Sequence, residues 1–227
     1  MNDDYYENLQ RVNPGYGKPR FSKTEVRDIL ISILVLSVAF TILYRSGSIL
    51  NFFEKKTDFS PYIGLFLMCL VLVVVSFMFH EFGHKFVAQS YGMWSEFRMW
   101  PAGLVLTLVT SMIGFLFASP GAVMIAGNMN AEKNGKISIA GPAVNMVLCA
   151  IGMLGWMLTN GTDFVIFFYM LTSINAMLAV FNLIPIPPLD GSKILAWNKI
   201  IWAIAIAIAV AEFVLMRFVL PVPYYYI

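Results

Sequence analysis

The chain has 227 residues, 59% of them hydrophobic and only 12% charged. Soluble domains carry about twice that charged fraction, which excludes an ordinary water-soluble fold and puts most of the chain in a membrane. The formal net charge of +2 is too small to point to nucleic acid as a partner.

Residues 1–26, "MNDDYYENLQRVNPGYGKPRFSKTEV", are polar and punctuated by Pro14, Gly15, Gly17 and Pro19. They read as a tail ahead of a single membrane-embedded domain, 27–227. No apolar region with a small-residue cleavage site follows, so no secretory signal peptide is expected. A spanning helix needs about 20 apolar residues, and five runs approach or exceed that: Ile29–Tyr44, Tyr62–Gln89, Ile137–Leu158, Phe164–Ile184 and Ile200–Leu220. Cys69 and Cys149 fall inside such runs, as ordinary buried thiols do.

The stretch between the second and third runs, Pro101 to Asn128, is long enough to span but differs in character. Gly103, Gly114, Pro120, Gly121 and Gly127 interrupt it, and β-branched residues crowd "VLTLVT". One reading is a kinked sixth helix. The other is a re-entrant loop of two short extended arms, which survives at membrane depth only where protein or a water-filled cavity covers it. Local propensity does not separate the two. The fold class expected is therefore an all-α membrane protein of about five to six transmembrane helices, with a partly β-like re-entrant loop at about 101–128.

The second run ends in "HEFGH", His80 to His84. Residues four apart lie on one face of a helix, one turn apart, so both imidazoles can reach one Zn²⁺ while Glu81 stands beside it as general base. The bland alternative is a pair of core histidines bonded to backbone carbonyls. Against it, these are the only two histidines of the chain, and ionisable groups inside an apolar helix are costly unless they have a function.

Two histidines leave a zinc site short of a third protein ligand. Asp190, Glu212 and Asp163 are the candidates, and Asp190 is preferred. Pro185, Pro187 and Pro188 end the fourth run in a stiff extended segment, and Gly191 permits a turn after the carboxylate. Glu212 is second choice, because it precedes Arg217 near the membrane edge and can pair or snorkel there.

Topology bears on both questions. If Pro101–Asn128 spanned, the exit ends of the second and fourth runs would open on opposite faces, and Asp190 would be separated from His80 and His84. A re-entrant loop puts all three on one side. It also gathers Arg11, Lys18, Arg20, Lys23, Arg27, Lys85, Arg98, Lys133, Lys136, Lys193 and Lys199 on that side, against Arg45, Lys55, Lys56 and Arg217 on the other. The positive-inside rule favours this arrangement, with the metal site toward the cytoplasmic face of a multi-pass protein.

These motifs resemble the site-2 protease family of intramembrane zinc metalloproteases, over about residues 62–194. "HEFGH" is similar to the family's zinc-binding helix. "NLIPIPPLDG" is similar to its signature N-x-x-P-x-x-P-x-D-G, at Asn182, Pro185, Pro188, Asp190 and Gly191. "AGPAVN", Ala140 to Asn145, resembles the small-residue motif of its middle core helix. The resemblance implies one Zn²⁺ held by His80, His84 and Asp190, with Glu81 as catalytic acid/base and Asn182 holding the substrate carbonyl or its oxyanion. It implies a membrane-embedded β-like loop at Pro101–Asn128 and, as substrate, a transmembrane helix of another protein in the lipid bilayer. A metal-ion transporter or a non-proteolytic membrane zinc protein is the alternative function. A transporter should line a path through several helices with polar ligands, and beyond this cluster the chain offers few.

Overall fold

The computed structural model describes residues 21–46 and 60–219, and most of the polar tail, residues 47–59 and residues 220–227 lie outside them. Ten regular elements follow in chain order: α1 (Lys23–Ser46), α2 (Ser60–Val73), α3 (Phe79–Ser90), β1 (Trp94–Met99), α4 (Pro101–Met112), β2 (Gly121–Ala126), α5 (Ala131–Leu158), α6 (Phe164–Asn182), α7 (Asp190–Trp197) and α8 (Lys199–Val214). Among the described residues, five helices are long and apolar enough to cross a membrane: Lys23–Tyr44, Ile63–Ser90, Ala131–Leu158, Phe164–Asn182 and Lys199–Phe218. The second is helical from α2 through α3, with five residues, Val74–Met78, in a wider π turn just before His80. Such turns favour functional positions, because they rotate the following side chains out of register.

The described residues form two compact units. One holds α1, α2, most of β1, α4 and most of β2. Here α1 begins at Lys23, inside the stretch read as tail, because its acidic residues have partners. Glu25, fully buried, accepts the Phe97 N–H at 2.9 Å, and Asp28 lies 3.4 Å from the Met99 N–H. Phe97 and Met99 are alternate residues, so their N–H groups point to one edge of β1, and the carboxylates of α1 cover that edge. The opposite edge pairs with β2 in a two-stranded sheet. Met93 lies against Gly127 at one end and Trp100 N–H donates to Pro120 O at the other, so the strands run antiparallel.

The segment 101–128 does return to its starting point, but only its second arm is extended. The first arm is α4, with Pro101 at its first turn, where a missing N–H costs nothing. Twelve helical residues rise about 18 Å, too short for the roughly 30 Å hydrocarbon core, and Phe115 to Pro120, without regular secondary structure, lead back to the start of β2. Glycine in the left-handed region, Gly114 at φ 84°, makes the turn between them. The returning backbone has no ladder partner along α4, and threonines take that role. Thr107 Oγ1 lies 2.9 Å from Phe117 O and receives Ser119 N–H at 3.4 Å, while Phe117 N–H donates to Thr110 Oγ1 at 3.1 Å. The "VLTLVT" threonines therefore belong to a helix. Their hydroxyls satisfy irregular backbone at a depth where water does not.

The second unit holds α3, α5, α6, α7 and α8. Asn130 caps α5 by accepting from Lys133 N–H at 2.8 Å, which starts that helix six residues ahead of its apolar run. Asn198 caps α8 in the same way, accepting from Ile200 and Ile201. α5 and α6 form an antiparallel pair, with Asn145 against Asn175 at one level and Trp156 edge-on to Tyr169 at another. α3 also runs antiparallel to α5, with His84 beside Ile137 and His80 beside Asn145. Ala179, Leu183, Ile194, Ala205 and Ala209 make a common core for α6, α7 and α8, and Trp202 Nε1–H ties α8 to the Leu183 carbonyl at 2.9 Å.

Candidate metal centre

His80 and His84 sit one turn apart on α3, as the spacing dictates, and both are buried. After α6 the chain passes through "LIPIPP" and enters α7 at Asp190. That residue opens a helix, where an extended segment was expected. Gly191 has no unusual φ, and it is required for a different reason. A Cβ there would lie 2.1 Å from Leu183 O, so only glycine lets the start of α7 fold back onto the end of α6. That fold brings Asp190 to the histidines.

His84 Nε2 lies 3.1 Å from Asp190 Oδ2, His80 Nε2 lies 3.5 Å from the same oxygen, and the two Nε2 atoms are 3.1 Å apart. His84 Nδ1–H donates to the Ile137 carbonyl at 2.8 Å, and His80 Nδ1 faces Asn145 Oδ1 at 2.6 Å. A carbonyl oxygen only accepts, so in each ring the proton sits on Nδ1 and the Nε2 lone pair points inward. Three acceptor atoms thus converge with no proton among them, an arrangement that a cation stabilises. Ligands about 2.0–2.1 Å from a tetrahedral zinc lie roughly 3.3 Å from one another, and the observed separations bracket that value. Gly141 of α5 provides room for this. A Cβ at Gly141 would fall 2.4 Å from His84 Nε2 and 2.7 Å from His80 Cε1. The donor set and the space both fit zinc.

Asp190 is buried beside these rings. Its other oxygen, Oδ1, accepts from Lys193 Nζ at 3.2 Å, one turn along α7. Glu81, between the histidines on α3, is buried. Asn182 ends α6 and donates from Nδ2 to Leu178 O at 3.0 Å, a bond within its own helix. Glu212, the second-choice ligand, lies outside the group.

Several participants had no assigned role in the motif reading. Asn145 closes the "AGPAVN" motif and Asn175 lies in α6, both fully buried. The signal that could have found them is an amide inside an apolar run, costly in lipid unless bonded. Gly141, read as a packing residue between helices, packs specifically against the two imidazoles.

Comparison with known proteins agrees with this geometry. The profile described as "Peptidase family M50" matches residues 157–217. "Putative zinc metalloprotease MJ0611" of Methanocaldococcus jannaschii is 39% identical over 188 residues, 82% of this chain and 90% of that protein. "Putative zinc metalloprotease YwhC" of Bacillus subtilis is 32% identical over 159 residues, 59% of this chain and 69% of that protein. No solved structure matches the chain. Identity at this level over nine-tenths of a relative is decisive: the chain belongs to peptidase family M50, the site-2 protease family, and is a zinc-dependent protease integral to the membrane.

Proposed function

We propose that this protein hydrolyses peptide bonds within or next to transmembrane helices of other membrane proteins, as in regulated intramembrane proteolysis. In this reading His80, His84 and Asp190 hold the zinc, and Glu81 is the catalytic acid/base. The observation that carries it is the convergence, within 3.1–3.5 Å, of two Nε2 lone pairs on a helix apolar enough to span and one carboxylate oxygen at the start of α7.

Zinc supplies Lewis acidity, making water nucleophilic near neutral pH and polarising the scissile carbonyl. Glu81 takes the proton of the attacking water and returns it to the leaving amine. Asn182 donates to the oxyanion. Its amide carries two N–H groups, and the Leu178 carbonyl engages one of them. Lys193, on Asp190 Oδ1, holds the carboxylate with Oδ2 turned toward the imidazoles.

A substrate helix hides its carbonyls in its own hydrogen bonds and must open locally. The carboxylates of α1 already cover one edge of β1, so the outer edge of β2 is the one that receives the opened strand, by β-augmentation. Water reaches the site from the cytoplasmic side, in keeping with the charge distribution along the chain.

The test is Glu81→Gln, compared with the native protein for zinc content and for cleavage of a single-span reporter. The variant keeps its zinc and loses about 100- to 10,000-fold in cleavage rate, the usual contribution of a general base. Undiminished cleavage removes Glu81 from the mechanism. A native protein that moves zinc across vesicles and cleaves nothing makes the site a transporter's.

A further inference from the structure

We propose that Asn145 and Asn175 form a two-amide relay that sets the tautomer of His80 and hence the direction of its lone pair, making both of them positioning residues for the metal. The inference rests on the reading that His80 is a zinc ligand.

The polarity of the relay is fixed from one end. Asn175 lies 2.8 Å from the Leu171 carbonyl, an acceptor, so the group it presents there is Nδ2. Its Oδ1 is thereby turned to Asn145, whose Nδ2 donates to it at 2.8 Å. Asn145 then has only Oδ1 to offer His80, at 2.6 Å from Nδ1. The proton of His80 is held on Nδ1, and Nε2 is left as a lone pair facing His84 and Asp190. Three bonds thus carry the direction of a backbone carbonyl on α6 across α5 to a side chain on α3.

The relay matters because the cluster has a metal-free alternative. With its proton on Nε2, His80 would donate to Asp190 Oδ2 at 3.5 Å or to His84 Nε2 at 3.1 Å. The cluster would then satisfy itself without a cation. His84 is protected from this by the Ile137 backbone carbonyl, which no side-chain substitution removes. His80 depends on Asn145 alone for the same protection, so a substitution can unlock only one of the two rings. The competing explanation is that two buried amides merely join α5 to α6, as polar residues do between membrane helices. That role predicts a change in stability with no change in tautomer.

The experiment reads His80 by ¹⁵N NMR in the metal-free protein, together with zinc affinity by chelator competition. With only two histidines in the chain, the ring signals assign readily. The native protein shows His80 protonated at Nδ1. Asn145→Leu, similar in size with no acceptor, lets the proton populate Nε2 and weakens zinc binding about 10–100-fold, the usual cost of removing the group behind a metal-bound histidine. Asn145→Asp retains an acceptor and keeps both the tautomer and the greater part of the affinity. Asn175→Ala, which removes the acceptor of Asn145 Nδ2, shifts both readouts in the same direction by less. Native tautomer and affinity in Asn145→Leu overturn the relay, as does equal impairment of the Leu and Asp variants. If Asn145→Leu does not fold, unchanged values in Asn175→Ala overturn it. A native protein that binds no zinc overturns instead the function proposed above.

Discussion

Replacing Gly141 with alanine adds one methyl group where the structure has no room for it. The new Cβ would stand 2.4 Å from His84 Nε2, 2.6 Å from His84 Cε1 and 2.7 Å from His80 Cε1. Ordinary contact requires about 3.5 Å or more, so the His84 ring, or α5 itself, must move by about 1 Å. Zinc–ligand distances tolerate only about 0.2 Å. The displaced atom belongs to the proposed ligand set rather than to a group behind it, so zinc affinity falls by more than the about 10–100-fold typical of disturbing a supporting residue. Overpacking costs about 1–3 kcal/mol of stability besides. The assay is zinc content after dialysis against a graded chelator, with thermal unfolding of the same preparation. Gly64→Ala is the control, since a Cβ there meets nothing within 4 Å. Wild-type zinc affinity in Gly141→Ala refutes the proposed ligand set, because no cation could then occupy the space between those Nε2 atoms.

Two further outcomes test neighbouring parts of the structure. Glu212→Gln retains stoichiometric zinc and native cleavage of a single-span reporter, since that carboxyl lies outside the cluster; loss of zinc would restore it as a ligand. Thr107→Val removes the hydroxyl that accepts Ser119 N–H and lies against Phe117 O, at about 1 kcal/mol, the net worth of a typical hydrogen bond. It should lower the unfolding temperature and expose 115–120 to proteolytic nicking, and an unchanged protection pattern there would show that the threonines do not hold the returning arm.

Much of this protein is legible in the order of its residues, because the governing physics is local. Twenty apolar residues in a row have one stable environment, and five such helices follow. Spacing of four puts His80 and His84 on one helical face regardless of what surrounds the helix. Even the return of 101–128 follows from the need to bring Asp190 to the side of the histidines.

Tertiary structure decided the rest, because those features depend on partners far apart in the chain. The histidine tautomers are set by Ile137 and Asn145, 53 and 65 positions away. The helical first arm of the re-entrant segment depends on Thr107 and Thr110 meeting backbone that has turned back on them. Gly191 is read from its neighbours as a turn residue, and only the approach of Leu183 O shows that it makes room. A lone pair has a direction only once its ring is packed, and in this protein that packing comes from backbone and amide groups that the metal-binding motif does not contain.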